Sequence, residues 1–135
     1  MQLKELCMID KEIISNGVDI VKVDRIRKIL KRPYKDAFLK KIFNTEEIEY
    51  FKSNKYDAKS ISGYFAVKEA IMKTLKKGMD KTSFKDITIL KTEDNCPYIK
   101  LEGNAKKYMK ENNIEDFKIS ISHEKEYAIA FVIAV

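Results

Sequence analysis

Histidine, cysteine, proline and glycine are all scarce in this 135-residue chain, which has 1 His, 2 Cys, 2 Pro and 4 Gly. One histidine (His123) and two distant cysteines (Cys7 and Cys96) give no spacing for a zinc site or a histidine-rich redox centre, so any metal is expected on oxygen ligands. Nothing suggests an oxidising compartment, and both cysteines are expected as free thiols. With so few helix- and strand-breakers beside 44% hydrophobic and 36% charged residues, a disordered or low-complexity chain is excluded. Long apolar runs are missing too. The longest, residues 127–135, reads as a buried strand and falls well short of the roughly 20 residues that cross a bilayer as a helix. Residues 1–15 interleave Lys4, Glu5, Asp10, Lys11 and Glu12 with isolated apolar side chains, which leaves no signal-peptide core. The expectation is a soluble, cytoplasmic chain with one domain large enough to bury a real core.

What is plentiful is positive charge, and it is unevenly placed. The net charge is +6; residues 1–80 hold 18 basic and 12 acidic side chains, and residues 81–135 hold 9 of each. The densest stretch runs Lys22, Arg25, Arg27, Lys28, Lys31, Arg32, Lys35, Lys40 and Lys41, opposed by Asp24 and Asp36. Such a field steers and neutralises an acidic partner. A solvated lysine-rich surface is the alternative.

Residues 13–21 read as a strand with Val18 and Ile20 on one face and Gly17 and Asp19 on the other. Asp24 precedes a helix carrying Ile26, Ile29 and Leu30 inward, ended by Pro33. A short helix over 36–43 follows, then one capped by Asn44 or Thr45 with Glu46 and Glu47 in its first turn. The longest helical pattern covers 61–76, capped by Ser60 and closed by Gly78. Residues 87–90 and 98–101 read as strands around a polar turn, and 103–112 as a helix. Residues 117–123 alternate as a half-buried strand, which turns at 124–126 into the apolar strand 127–135.

Two charges stand where packing has no use for them. Asp19 sits in an apolar strand beside a glycine. Glu69 lies at the edge of the stripe formed by residues 61, 64, 65, 68, 71, 72 and 75, whose only charged member is Lys68. A buried unpaired lysine is costly, so snorkelling of its stem stands beside a functional role. Lys73 lies four residues after Glu69, where an ordinary helix ion pair is one reading. The other is convergence of Asp19 on Glu69: two carboxylates with water suit Mg²⁺, which keeps few protein ligands and completes its shell with water and substrate phosphates.

The motifs Asn16-Gly17-Val18-Asp19-Ile20-Val21 and Phe65-Ala66-Val67-Lys68-Glu69-Ala70-Ile71-Met72-Lys73 resemble the two signatures of the phosphopantetheinyl transferases. Ile119-Ser120-Ile121-Ser122-His123-Glu124-Lys125-Glu126-Tyr127-Ala128 is similar to the closing block of the short holo-acyl-carrier-protein synthase branch. The resemblance implies an α+β fold, a small antiparallel sheet packed against a long central helix, spanning residues 13–135, with 1–12 an extension of no assigned role. It implies transfer of 4'-phosphopantetheine from coenzyme A to a serine of apo acyl carrier protein, in support of fatty acid biosynthesis, with Mg²⁺ as cofactor.

On that likeness Asp19 and Glu69 are the metal ligands, and Glu69 and Lys73 the catalytic pair. Lys68, Lys73, Gly78, Pro97, Ser122 and His123 bind coenzyme A. Arg25, Lys28 and Arg32 meet the carrier. The likeness also implies a homotrimer with sites between subunits, so that Pro97, Ser122 and His123 come from the neighbouring chain. The sequence departs from the family at Ser15, Tyr64, Lys76, Lys77 and Asn95-Cys96, several of them near the expected nucleotide contacts. A non-catalytic basic module is the differently classed rival, but no nucleic-acid motif supports it, and neither nucleic acid nor membrane is expected as a partner. A silent homologue is the third reading.

Overall fold

The computed structural model describes residues 12–135; Cys7 and residues 1–11 of the expected extension lie outside them. Three strands form one antiparallel sheet in the order β1 (Ser15–Lys22), β5 (Tyr127–Ala134) and β4 (Phe117–His123). Its register sets Gly17 opposite Val132 and Asp19 opposite Ala130. Across one face lies the long helix α4 (Ala58–Thr74). The contact is close because β5 offers it small side chains: Ala128, Ala130, Val132 and Ala134 are all fully buried. A helix presses nearer to alanine and glycine than to branched residues.

The pleat then decides which apolar residues the helix cannot cover. Along β5 burial alternates, and Tyr127, Ile129 and Phe131 stand 40–43% exposed. On β1 the buried positions are Ser15, Gly17 and Val21, while Val18 and Ile20 face outward at 49% and 60%. The run 127–135, expected as a buried strand, is therefore buried on one side only. Val18 pairs with Phe131 and Ile20 with Ile129, so the exposed residues form one continuous apolar patch.

Four further α-helices lie among the described residues. Helix α1 (Val23–Leu30) starts directly off β1, with Asp24 in its first turn and not at its cap, and buries Val23 and Ile26. Helices α2 (Lys35–Ile42) and α3 (Thr45–Ser53) follow, and Asn44 and Glu47 form a reciprocal capping box at the start of α3. Phe43, Phe51 and Tyr64 pack edge to face at centroid distances of 4.9 and 5.1 Å and tie α3 to α4. Helix α5 (Gly103–Glu111) ends at Asn112 and a left-handed Asn113. Strands β2 (Ile87–Lys91) and β3 (Pro97–Leu101) pair as a separate, two-stranded antiparallel sheet. Ile87 and Ile89 anchor it in the core at 0% and 2% exposure.

Helix α4 differs from the sequence reading at both ends. Asp57 caps it, accepting from the Lys59 amide at 3.3 Å, and Ser60 hydrogen-bonds Asp57 from within the first turn. The helix stops at Thr74, and the left-handed Gly78 (φ 79°) opens the next 3₁₀ turn. Among the described residues no helix is long and apolar enough to cross a membrane. Cys96 is a free, exposed thiol.

Candidate active site

Asp19 reaches α4 because Gly17 has no side chain. A Cβ there would stand 2.0 Å from the Ala70 carbonyl oxygen and 3.3 Å from Lys73 Cβ. With hydrogen in that place, β1 lies directly on the helix, and Asp19, two residues on and on the same face, meets the Glu69 turn. The Lys73 ammonium donates to Asp19 Oδ1 at 3.0 Å and to the Val18 carbonyl at 2.9 Å. It therefore crosses to the strand, and the simple helix pair with Glu69 is not what holds it.

Asp19 Oδ2 is buried and has no hydrogen-bond partner. Glu69 is its acidic neighbour. Burial and the Asp19 charge push the Glu69 carboxyl above its usual range, while Lys73 and Arg25 draw it back. Two carboxylates crowded together, one with an orphaned buried oxygen, fit a hard divalent cation, which would satisfy that oxygen and remove the like-charge repulsion. Two protein ligands are all the site offers: no group of three or more His, Cys, Asp or Glu gathers among the described residues. A hollow of about 210 Å³ lined by Glu69, Met72, Lys73, Met79 and Phe84 adjoins the pair. Gly78 precedes Met79 at its edge, where the Tyr108 ring leaves no space for a Cβ.

Lys68 does not open onto this site. Its side chain and that of Glu47 are 0% exposed, and its ammonium donates to Glu47 Oε1 at 2.7 Å, the Ile42 carbonyl at 2.8 Å and the Phe84 carbonyl at 3.1 Å. Three donors meet three acceptors, leaving none for a phosphate and no snorkelling. The expected direct contact to coenzyme A is corrected to a buried strut between α4, the α2–α3 junction and the turn before β2. Glu47, read from sequence as a first-turn helix acid, was the missing partner; the Asn-x-x-Glu capping pattern was its only trace.

A second cleft, of about 370 Å³, lies on another side of α4 and is lined by Tyr50, Tyr64, Lys91, Pro97, Ile121 and His123 among others. Pro97 and His123 both line it. Two of the departures, Tyr64 and Asn95, line it too. Ser122, on the alternate face of β4, is exposed and is not part of the lining. On α1, Arg25 is exposed and acts electrostatically on Glu69, Lys28 pairs with Asp24 at 3.3 Å, and Lys28, Lys31 and Arg32 surround a shallow hollow. The basic helix thus borders the acidic pair.

Residues 15–132 match the model of the 4'-phosphopantetheinyl transferase superfamily. A holo-[acyl-carrier-protein] synthase of Caldicellulosiruptor bescii is 43% identical over 122 residues, covering 90% of this chain and 98% of its own. One from Clostridium novyi is 44% identical over 123 residues, covering 90% and 86%. Among solved structures, the Helicobacter pylori holo-[acyl-carrier-protein] synthase in complex with coenzyme A is 40% identical, covers 89% of this chain and 99% of its own, and superposes with a TM-score of 0.76.

Proposed function

Because the chain belongs to the 4'-phosphopantetheinyl transferase superfamily, we propose that it moves 4'-phosphopantetheine from coenzyme A to a serine of apo acyl carrier protein, leaving holo carrier and adenosine 3',5'-bisphosphate. This is the reaction of the holo-acyl-carrier-protein synthases to which it is similar. In this reading residues 13–135 are the catalytic unit, and the reaction serves fatty acid synthesis in the cytoplasm.

The observation that carries the site assignment is the buried, unpartnered Oδ2 of Asp19 beside Glu69. Asp19 and Glu69 would hold Mg²⁺, which supplies charge neutralisation at the diphosphate when bound. Lys73, half exposed at 49%, leaves Asp19 for the diphosphate and stabilises the negative charge that gathers on the departing bisphosphate. The serine oxygen forms a new ester bond to the phosphorus nearest pantetheine as the bridging P–O bond breaks, and the bond's electron pair leaves with adenosine 3',5'-bisphosphate. Glu69, or a water held beside it, would take up the serine proton as the carboxylate.

The open apolar face of the sheet, with Val18, Ile20, Tyr127, Ile129 and Phe131 exposed, supports assembly with further copies of the chain, in our reading a trimer. Each active site would then combine the Asp19–Glu69 side of one chain with the Pro97, Ser122 and His123 side of its neighbour. Arg25, Lys28 and Arg32 would receive the acidic carrier beside Glu69. The test is to incubate the chain with coenzyme A, Mg²⁺ and an apo carrier and to weigh the carrier intact. A carrier heavier by one phosphopantetheine supports the reading; an unchanged mass with every divalent metal tried overturns it.

A further inference from the structure

The larger cleft carries a charge that neither signature motif contains. At about 370 Å³ it falls within the roughly 300–1,000 Å³ typical of small-ligand sites. Gly63, Pro97, Ile119 and Ile121 give it apolar surfaces, and no acidic side chain is among its lining residues. Lys91 is its one lysine or arginine. The Lys91 ammonium donates to the Tyr50 hydroxyl at 2.9 Å and lies 4.5 Å from the centre of the same ring. Tyr50 in turn stacks on Tyr64, with centroids 5.5 Å apart and planes 15° off parallel.

That arrangement positions the cation well. Tyr64 is 4% exposed, and burial pushes its hydroxyl far up, so the ring beneath Tyr50 stays neutral and fixed. A lysine held by one hydroxyl still has donors left for a phosphate. Coenzyme A carries two separate anionic groups, a diphosphate and a 3'-phosphate on the ribose. The first is assigned above to the Asp19, Glu69 and Lys73 side. The second needs its own cation, away from that pair.

We propose that Lys91, steadied by Tyr50, is the residue that recognises the 3'-phosphate of coenzyme A and so sets the preference for coenzyme A over its 3'-dephospho form. This inference rests on the reading that the coenzyme's nucleotide occupies the cleft. It gives Tyr64, one of the departures from the family, a role: a neutral platform under the ring that holds the ammonium.

Isothermal titration of both ligands into the full chain, with Mg²⁺, tests it in wild type, Lys91→Met and Lys91→Arg. Wild type should bind coenzyme A about tenfold tighter than 3'-dephospho-coenzyme A, the scale of one charge-assisted hydrogen bond. In Lys91→Met the two dissociation constants should converge, through weaker coenzyme A binding with the dephospho form unchanged. Lys91→Arg should keep most of the preference. A Lys91→Met chain that retains the wild-type ratio, or a wild type with no preference, overturns the inference while leaving the functional reading standing. A wild type that binds neither ligand overturns the functional reading itself.

Discussion

Replacing Lys68 by methionine removes one end of the most buried ion pair in the structure. The ammonium has three acceptors at 2.7–3.1 Å, and Glu47 also accepts from the Asn44 amide at 2.9 Å and the Ile89 amide at 3.2 Å. Burial is the largest influence on both partners. It pushes Glu47 up and Lys68 down against their mutual attraction, so the pair is held at a desolvation cost that its hydrogen bonds only partly offset. Stranding one member of such a pair costs about 3–5 kcal/mol. For a chain of this size that is a fall in Tm of roughly 10–20 °C. The sharper expectation is a change of sign. Glu47→Gln should destabilise wild type, because it leaves the lysine charge uncompensated. It should stabilise Lys68→Met, because relief of the stranded carboxylate, about 3–5 kcal/mol, exceeds the loss of one amide's acceptor, about 1–3 kcal/mol: the Asn44 and Ile89 amides donate to different Glu47 oxygens, and glutamine accepts at one. Urea unfolding of the four proteins measures the cycle. If Glu47→Gln has the same sign in both backgrounds, the pair is not coupled as the geometry requires.

Gly17→Ala should cost about 1–3 kcal/mol of stability by overpacking and should slow transfer more than a surface change would, because β1 must lift Asp19 from α4; thermal melts and the carrier assay read the two effects. The raised Glu69 carboxyl gives a pH signature. Without divalent metal the folded state holds that proton to higher pH than the unfolded chain, whose carboxyl titrates near 4.5, so this group's contribution falls as pH rises above that value and stays fully favourable below it. The stability of Glu69→Gln relative to wild type should therefore grow with pH over that window; a pH-independent difference would remove the cause given for the shift. On the proposed assembly, wild type should scatter light as an oligomer, and Phe131→Glu, which places a charge in the open apolar face, should scatter as a monomer and lose transfer at the same concentration; a wild type that is already monomeric would remove the proposed assembly.

The helices and strands were legible because their apolar periods are regular: α4 and the β4–β5 hairpin come within a few residues of the expected positions. Asp19 and Glu69 stood out as candidates for the opposite reason, since a charge at either place interrupts an apolar pattern. What the sequence hid depends on contacts between distant segments. Glu47 and Lys68 are 21 positions apart, and each alone looks like an ordinary helix charge. Lys73 pairs across to β1 because Gly17 lets the strand approach, a distance no helical spacing contains. The run 127–135 read as doubly buried because hydropathy counts apolar residues without saying how many faces the rest of the chain can cover. Here α4 covers one. Lys91 and Tyr50 passed unnoticed because they belong to no motif, and only the fold of β2 against α3 brings them together.

On the proposed function, Asp19 and Glu69 together make the site of phosphopantetheine transfer. The most direct measurement is the initial rate of carrier modification by Asp19→Ala across a Mg²⁺ series, beside a melt showing that the variant is folded. A loss of about 10³-fold or more that added Mg²⁺ does not restore is the predicted result, the scale expected when charge stabilisation at the reacting group is removed. A folded Asp19→Ala chain that transfers at the wild-type rate would contradict it.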